Sequence, residues 1–276
     1  MAYKRILTIQ DISCMGQCSL TVALPIISAC GIETAIIPSA ILSTHTAGFS
    51  GFTCRDLTED IPKIEEHWNK EGIKFSAVYT GYLGSTEQID YVKSIMETTG
   101  DNECARIVDP AMADNGKLYP AFNAEYVQAM KTLCSQADIV LPNITEACFL
   151  TDTEYKESYD KQYIEDLCRK LMTLGAKTVV MTGVSYSADT TGVVTADKDC
   201  MRYYEHRRIS KGCHGTGDVY ASAFTGAYMQ GKGIYDASRI AADFTVKCIE
   251  NTQGDDRHWY GVKFETALGD LIEMIK

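Results

Sequence analysis

A glycine-rich turn followed by an aspartate is the strongest candidate for chemistry in this chain. The stretch KGCHGTGDVYASAF begins at Lys211, and its Gly215, Thr216 and Gly217 precede a run of small apolar residues typical of a buried helix. Backbone N–H groups at a helix N-terminus attract anions, and glycine lets a phosphate approach closely. Asp218 would then lie beside a phosphoryl group, where a carboxylate can take a proton from an attacking hydroxyl. The alternative is an ordinary helix cap, with Thr216 as N-cap and Asp218 in the first turn.

The overall composition excludes several classes of protein. The chain has 276 residues, enough for one large domain, and we expect residues 1–276 to form a single domain. Its net charge of −11 argues against nucleic-acid binding, which requires clustered Lys and Arg. Such acidity does not exclude a nucleotide substrate, because magnesium and backbone amides can neutralise phosphates locally.

The stretch of residues 12–54 is almost uncharged, yet it does not resemble a membrane span. Between residues 12 and 54 the only formal charge is Glu33, but Pro25, Gly31 and Pro38 interrupt the apolar runs before they reach the length of a spanning helix. A buried strand–helix–strand unit explains the low charge better, and its small polar groups indicate a pocket or a subunit interface. We expect a homodimer with no membrane association. Eleven irregularly spaced cysteines, no CxxC pair and no signal-peptide core predict free thiols in the cytoplasm.

Alternating apolar runs and amphipathic segments predict the fold. Near-continuous apolar strands separated by helices indicate a parallel sheet covered on both faces. A period-two stretch over 190–209 indicates an antiparallel hairpin at the sheet edge. The sequence thus predicts an α/β protein with a three-layer α/β/α fold and a mostly parallel central sheet. Strands are expected at 5–10, 33–39, 75–83, 104–112, 138–143 and 177–183, and helices at 19–29, 56–70, 85–98, 123–134, 145–150, 159–174, 217–229 and 235–251.

Polar residues stand at the ends of most predicted strands. Open α/β sheets bind ligands at the carboxyl ends of their strands, so these residues are candidates for a small-molecule site. The chain has no GxxxxGK[ST] motif and no GxGxxG after its first strand, which disfavours a Walker-type NTPase and a dinucleotide dehydrogenase. The 215–217 turn therefore remains as the candidate anion site. The strand-end candidates are Asp11, Tyr82, Asp109, Asn143 and Thr182.

Several segments, in order along the chain, resemble the pyridoxal (vitamin B6) kinases of the ribokinase-like superfamily. HGTGD and the small-residue helix after it resemble the anion hole and catalytic base of these kinases. TIQD and LSTHTAGFSG resemble their first strand and substrate loop, while YTGYLGS, IVDPAMADNGKLY, VLPNITEACFLTD and VVMTG resemble four further blocks. The resemblance implies a ribokinase-like fold. It also implies ATP-dependent phosphorylation of the hydroxymethyl group of pyridoxal, pyridoxine or pyridoxamine.

The resemblance assigns expected roles to individual residues. Asp218 would be the catalytic base, and the 215–217 turn would stabilise the charge that develops on the transferred phosphoryl group. Asn143 and Glu146 would organise Mg²⁺, often through water, although the same pair also fits a capping box at a helix start. A monovalent cation is a further candidate cofactor. The expected nucleotide contacts are Asp109, Asp114, Tyr119, Asn143 and Thr182, and the expected ring-pocket residues are Asp11, His45, Thr46 and Tyr82.

Two positions keep a second activity open. Most B6 kinases have a serine where this chain has Asp11, whereas the related hydroxymethylpyrimidine kinases carry an aspartate near there and share HGTG. Those pyrimidine kinases often place a cysteine where this chain has Asp218. We favour a B6 kinase because the substrate loop should set specificity, with hydroxymethylpyrimidine kinase and an inactive vitamer- or nucleotide-binding protein as alternatives. A carboxylate at Asp11 could pair with a protonated ring nitrogen or a ring substituent, which would favour pyridoxamine.

Overall fold

Eleven strands lie in residues 3–209 and 213–276, the part of the chain that the computed structural model describes, and nine of them form one sheet. In chain order they are β1 Arg5–Ser13, β2 Glu33–Leu42, β3 Cys54–Asp56, β4 Phe75–Thr80, β5 Gly100–Val108, β6 Ala113–Asp114, β7 Lys117–Leu118, β8 Ile139–Val140, β9 Thr178–Val184, β10 Thr190–Ala196 and β11 Met201–Arg207. The sheet has the order β11-β10-β9-β8-β5-β4-β1-β2-β3, while β6 and β7 pair separately. All pairings between β9 and β2 are parallel, and antiparallel pairing is confined to the two edges.

Helices cover both faces of this sheet. The first, seventh, eighth and ninth pack against one core, and the second to sixth pack against the other. Within the described residues they are α1 Leu20–Ala29, α2 Ile61–Lys70, α3 Thr86–Thr98, α4 Ala124–Cys134, α5 Ile144–Leu150, α6 Lys161–Leu174, α7 Thr216–Met229, α8 Ile234–Thr252 and α9 Leu268–Ile275.

Neighbouring residues of the central strands face opposite cores. In β4, Val78 belongs to the core under α2–α6, whereas Ala77 and Tyr79 belong to the core under α1 and α7–α9. In β9, Val179 and Val180 divide in the same way. Successive side chains of a strand point to opposite faces, so a sheet buried on both sides needs apolar residues at nearly every position. The prediction of a three-layer α/β/α fold with a mostly parallel sheet and an edge hairpin is confirmed.

The predicted strands, the hairpin and the predicted helices are all present, with boundaries shifted by a few residues. The sequence analysis missed β3, the β6–β7 hairpin and α9. The strand β3 has three residues, all of them exposed, so it carries no alternation of apolar and polar residues that could have revealed it. It pairs antiparallel with β2 and forms the edge of the sheet beside the N-terminal strands.

Two observations bear on the expectations from composition. No helix of residues 3–209 and 213–276 is long and apolar enough to span a bilayer. No disulfide joins any cysteines of that part of the chain, in agreement with the predicted thiols.

Candidate active site

The parallel strands bring the predicted strand-end residues to one edge of the sheet. Asp11 lies near the end of β1, Tyr82 lies two residues after β4, and Asp109 directly follows β5. Asn143 precedes α5 and forms a parallel bridge with Thr182 of β9. Since the carboxyl ends of parallel strands share an edge, residues distant in sequence converge there, where open α/β sheets bind their ligands.

The helix α7 begins at a glycine in the left-handed conformation. Gly215 is its N-cap, with a φ of 75° and no side-chain cap among the described residues. A Cβ atom there would lie 1.9 Å from the carbonyl oxygen of Gln17, so the close approach of two backbone segments requires glycine. Thr216 is the first helical residue rather than the N-cap, and its hydroxyl donates to the Cys213 carbonyl at 3.4 Å. A Cβ atom on Gly217 would meet nothing within 4 Å, so an anion can approach the first amides of the helix.

Asp218 lies in the first turn of α7 and is half-buried. Its withdrawal from solvent, together with a smaller effect of the negative charge of Asp11, raises the pKa of this carboxyl to about 7. The backbone N–H of Ser19 donates a hydrogen bond to the carboxylate, which acts in the opposite direction. A carboxyl with a pKa near neutrality is suited to general base catalysis. Lys211 and Gly212, at the start of the motif, lie outside the described residues.

Three acidic side chains, Asp109, Glu146 and Asp218, lie near enough at the centre of this edge for the charges of the last two to act on the first. Burial, followed by the charges of Glu146 and Asp218, raises the pKa of Asp109 well above its usual range. Burial also raises the pKa of Glu146, against the effect of three backbone hydrogen bonds. No lysine or arginine of the described residues is among the main causes of these shifts. A concentration of negative charge that lacks a neighbouring cation fits a site for a hard divalent cation.

Asn143 and Glu146 form a complete capping box at the start of α5. The Asn143 side chain accepts from the Glu146 N–H at 2.9 Å, and Glu146 Oε2 accepts from the Asn143 N–H at 2.8 Å. The other carboxylate oxygen accepts from the Met112 N–H at 3.2 Å. No group of three or more potential metal ligands stands together in the described residues. Mg²⁺ retains several waters and binds substrate phosphates, so a contact with Glu146 through water fits this geometry.

A cleft of ≈ 500 Å³ opens beside this centre. Asp114 lies at its rim, as the last residue of β6, and its carboxylate accepts from the Asn115 N–H at 2.8 Å. Tyr119 follows the β6–β7 hairpin and is partly exposed, and partial burial together with the charge of Glu146 raises its pKa. The volume is adequate for part of a nucleotide. Its lining includes Asp114, Asn143, Thr145, Tyr155, Tyr159, Thr182, Gly183, Tyr186 and Arg208.

Asp11 and Tyr82 lie close together on the other side of Asp218. Asp11 is 5% exposed, and burial raises the pKa of its carboxyl although Ser13 Oγ donates to it at 3.1 Å. Burial and then the charge of Asp11 raise the pKa of Tyr82 to about 12. The Tyr82 ring also packs at 5.4 Å from Phe122. An aromatic ring thus lies near a buried carboxyl, as the expected ring pocket requires.

The loop after β2 buries His45 and leaves Thr46 exposed. His45 is buried, and both nitrogens of its ring already have partners: Nδ1 accepts from the Ala47 N–H at 3.2 Å and Nε2 lies 2.7 Å from the Tyr260 carbonyl. A contact between His45 and a substrate would therefore use the face of the ring. Thr46 is exposed at the surface of the loop. Substrate contacts of both residues stay predictions.

The sequence analysis missed two features of this site. Ser19 has a φ of 55°, and it reaches both Asp11 and Asp218. Residues 255–262, near the C-terminal end of the described chain, pack on the loop after β2. A serine before a helix predicts only an N-cap, and no local pattern marks the contact made by 255–262. Neither feature had a signal in the sequence.

A mostly parallel sheet between two helical layers, with a glycine turn and an aspartate at its strand ends, defines a ribokinase-like kinase. The family model described as phosphomethylpyrimidine kinase matches residues 24–261, and the chain belongs to that family. It is a phosphotransferase whose acceptor is an alcohol group, and its transfer reaction uses ATP.

Curated relatives of the chain include kinases of both expected types. A hydroxymethylpyrimidine/phosphomethylpyrimidine kinase of Bacillus subtilis is 25% identical over 221 residues, which cover 78% of each chain. A pyridoxal kinase of Dictyostelium discoideum is 27% identical over 240 residues, covering 80% of this chain and 77% of the relative. The chain thus belongs among the pyridoxal and hydroxymethylpyrimidine kinases.

Two solved structures are similar over almost the whole chain. A candidate phosphomethylpyrimidine kinase of Bacteroides thetaiotaomicron, in a crystal form with pyridoxal, is 34% identical with a TM-score of 0.92, covering 98% of this chain and 96% of that chain. Pyridoxal kinase from Lactobacillus plantarum is 29% identical with a TM-score of 0.91, covering 98% of this chain and 97% of that chain. The resemblance to pyridoxal kinases inferred from the motifs is confirmed.

Proposed function

We propose that this kinase uses MgATP to phosphorylate the hydroxymethyl group of pyridoxal, pyridoxine and pyridoxamine, as in vitamin B6 salvage. The observation that carries the proposal is an aspartate, Asp218, in the first turn of α7, where the pyrimidine kinases often have a cysteine. The similarity to the Lactobacillus plantarum pyridoxal kinase and to a relative crystallised with pyridoxal supports it further.

In this proposal the first turn of α7 supplies both the group that accepts the proton and the groups that stabilise the developing negative charge. Asp218 accepts the proton of the acceptor hydroxyl as that oxygen attacks the terminal phosphorus of ATP, while the bond from this phosphorus to the bridging oxygen breaks and ADP leaves. The N–H groups of Thr216 and Gly217, in the first turn of α7, would stabilise the negative charge on the transferred group. Phosphoryl transfer depends mainly on positioning and electrostatics, which a helix N-terminus and a fixed carboxylate supply.

The acidic centre and the adjacent cleft would hold the nucleotide and its metal. Mg²⁺, when bound, neutralises charge on the triphosphate. Glu146 would hold it through water, with Asn143 and Asp109 nearby, and Asp114, Tyr119 and Thr182 would contact the nucleotide around the cleft. A monovalent cation stays a prediction for the same region.

Asp11 and Tyr82 would bind the ring of the acceptor. The buried carboxyl of Asp11 can pair with a protonated pyridine nitrogen or with a ring substituent, and the Tyr82 ring offers an apolar face. The acceptor hydroxymethyl would then face Asp218, whose pKa responds to the charge of Asp11.

The test is ATP turnover with magnesium and pyridoxal, pyridoxine, pyridoxamine or hydroxymethylpyrimidine, each supplied alone. We expect efficient turnover of the B6 vitamers. Preference for the pyrimidine would establish the second candidate, which Asp11 and the matching family model favour. Binding of a vitamer or nucleotide without turnover of any acceptor would indicate an inactive binding protein and overturn the proposal.

We further propose that the chain acts as a homodimer in the cytoplasm, with residues 1–276 in one domain. Several large apolar side chains of the nearly uncharged stretch 12–54 are exposed, as expected for a subunit interface: Met15, Leu24, Ile41 and Phe52. Light scattering at several protein concentrations tests the dimer, and a single cooperative unfolding transition tests the one-domain organisation. A monomer at all concentrations would contradict the first expectation.

A further inference from the structure

Residues 255–262 hold the loop that follows β2. The Nδ1 atom of His45 accepts from the Ala47 N–H, so the neutral ring carries its proton on Nε2. That Nε2–H donates to the carbonyl of Tyr260 at 2.7 Å. His45 is 4% exposed, and at this depth a hydrogen bond is shielded from competition by water. His45 therefore fastens its own loop, residues 43–50, to the C-terminal segment.

Four rings connect this loop to the start of α7. We define the aromatic cluster as His45, Phe49, His214 and Trp259. The Phe49 and Trp259 ring centroids are 4.6 Å apart, and His45 lies 5.0 Å from Phe49. His214, directly before Gly215, lies 5.7 Å from His45 and 6.5 Å from Trp259. The cluster thus joins the loop 43–50, the C-terminal segment and the approach to the anion turn.

The backbone of the loop lies directly on the indole ring. Gly48 has a φ of 89°, and a Cβ atom at that position would lie 2.8 Å from the Trp259 ring. Trp259 itself remains 44% exposed, so much of its ring is accessible from outside. Removal of the indole would leave Phe49 and the Gly48 backbone without the surface on which they rest.

A second attachment holds the loop after β1. The Nε2 atom of His258 lies 2.9 Å from Gln17 Oε1, and Gln17 Nε2 donates to Glu265 at 2.7 Å. The carbonyl of Gln17 also faces the backbone of Gly215. Residues 255–262 consequently contact both loops that border the pocket of Asp11.

We propose that residues 255–262 set the affinity for the acceptor, with Trp259 as a positioning residue that acts through Phe49 and the loop 43–50. This inference rests on the proposed function and on the expectation that the loop 43–50, which resembles the substrate loop of the B6 kinases, lies beside the ring of the acceptor. A loop already held in place does not need to be ordered when the acceptor binds, so its attachment strengthens acceptor binding. No member of the aromatic cluster lines the nucleotide cleft of the described residues, so ATP binding is separate.

The kinetic test compares Trp259→Ala, Trp259→Phe and the matched control Trp68→Phe. Trp68 packs 5.3 Å from Phe75 in the core on the opposite face of the sheet. We expect Trp259→Ala to raise KM for the acceptor about tenfold, the size of a lost aromatic contact, while KM for ATP stays within about twofold. Trp259→Phe should restore most of the loss, and Trp68→Phe should leave both KM values unchanged. An unchanged acceptor KM in Trp259→Ala, or an equal rise of both KM values, overturns the inference.

A binding measurement separates this inference from the proposed function. Calorimetry without ATP measures the affinity for pyridoxine directly. We expect Trp259→Ala to raise the Kd for pyridoxine about tenfold and Trp68→Phe to leave it unchanged. Equal Kd values in Trp259→Ala and the parent enzyme would overturn the inference. Turnover of hydroxymethylpyrimidine alone would instead remove the proposed function, and the same variants then test Trp259 with that acceptor.

Discussion

Ser19 joins Asp11 to Asp218. Its side chain hydrogen-bonds the Asp11 carboxylate, and its backbone N–H donates to the carboxylate of Asp218. The residue has a φ of 55° and a ψ of −130°, a conformation that few residues other than glycine adopt. One residue in a sparsely populated conformation thus holds the acidic group of the ring pocket and the candidate base in a fixed relation.

Replacement of Asp218 by asparagine tests the candidate base. The amide keeps nearly the same shape but cannot accept the hydroxyl proton, so we expect kcat to fall by roughly 10²–10⁴-fold, the usual contribution of general base catalysis. Circular dichroism should show an unchanged fold. Turnover within about tenfold of the parent enzyme would exclude a base role for this residue.

The pH dependence of the reaction provides a second test of Asp218. A base must be ionised to act, and the pKa of this carboxyl is raised to about 7 by its withdrawal from solvent. We therefore expect kcat/KM for the acceptor to fall as the pH decreases below about 7 and to level off above it. Asp218→Asn should lose this dependence, which separates it from the ionisation of the acceptor itself. A parent profile that stays flat down to the ordinary range of aspartate would contradict the assignment.

The raised pKa of Asp218 also predicts that the protein loses stability over the pH range in which its activity rises. The folded protein binds the Asp218 proton more tightly than the unfolded chain does, because the folded pKa of about 7 exceeds the ordinary value of 3.8. This group therefore lowers the free energy of unfolding as the pH rises from 3.8 to about 7, and the loss is complete above that window. We expect Asp218→Asn to raise Tm above the window and to change it little below. Calorimetry at both ends checks this, and an equal difference at both would refute it.

The sequence predicted the parts of this site that depend on local patterns. The glycine turn and Asp218 form one short motif, and the apolar runs locate the strands whose ends carry Asp109, Asn143 and Thr182. The geometry of Ser19 was not predictable, because Ser19 lies where the loop after β1 closely approaches α7. That approach depends on Gly215 and Gln17, which are distant in sequence.

The role of His45 shows a second limit of sequence reasoning. Its position in the substrate loop suggested a contact with substrate, whereas its two ring nitrogens bind Ala47 and Tyr260. Tyr260 lies 215 residues further along the chain, and no local pattern reports a contact of that span. Tertiary packing therefore decides which polar atoms of a motif remain available to a ligand.

Asp11 is the residue expected to influence the choice among vitamers. Asp11→Ser removes a buried carboxyl that can pair with a cationic group, so we expect kcat/KM for pyridoxamine to fall about three- to tenfold relative to pyridoxine. Ser13→Ala is the matched control, because it removes a hydrogen-bond donor to Asp11 and keeps the carboxyl. A vitamer profile that is identical in Asp11→Ser and the parent enzyme would remove this role.

Two adjacent arginines differ in their relation to the nucleotide cleft. Arg208 lines the cleft near Tyr159, whereas Arg207 pairs with Glu250 at 2.9 Å outside it. A cation in a cleft that binds a triphosphate should strengthen nucleotide binding, so we expect Arg208→Ala to raise KM for ATP about three- to tenfold. Arg207→Ala should change KM for ATP by less than about twofold, as for an exposed ion pair.

Steady-state kinetics at low and high salt check both variants. The effect of Arg208→Ala should shrink at high salt because exposed charges are screened. Equal effects of the two substitutions would show that Arg208 has no specific contact with the nucleotide.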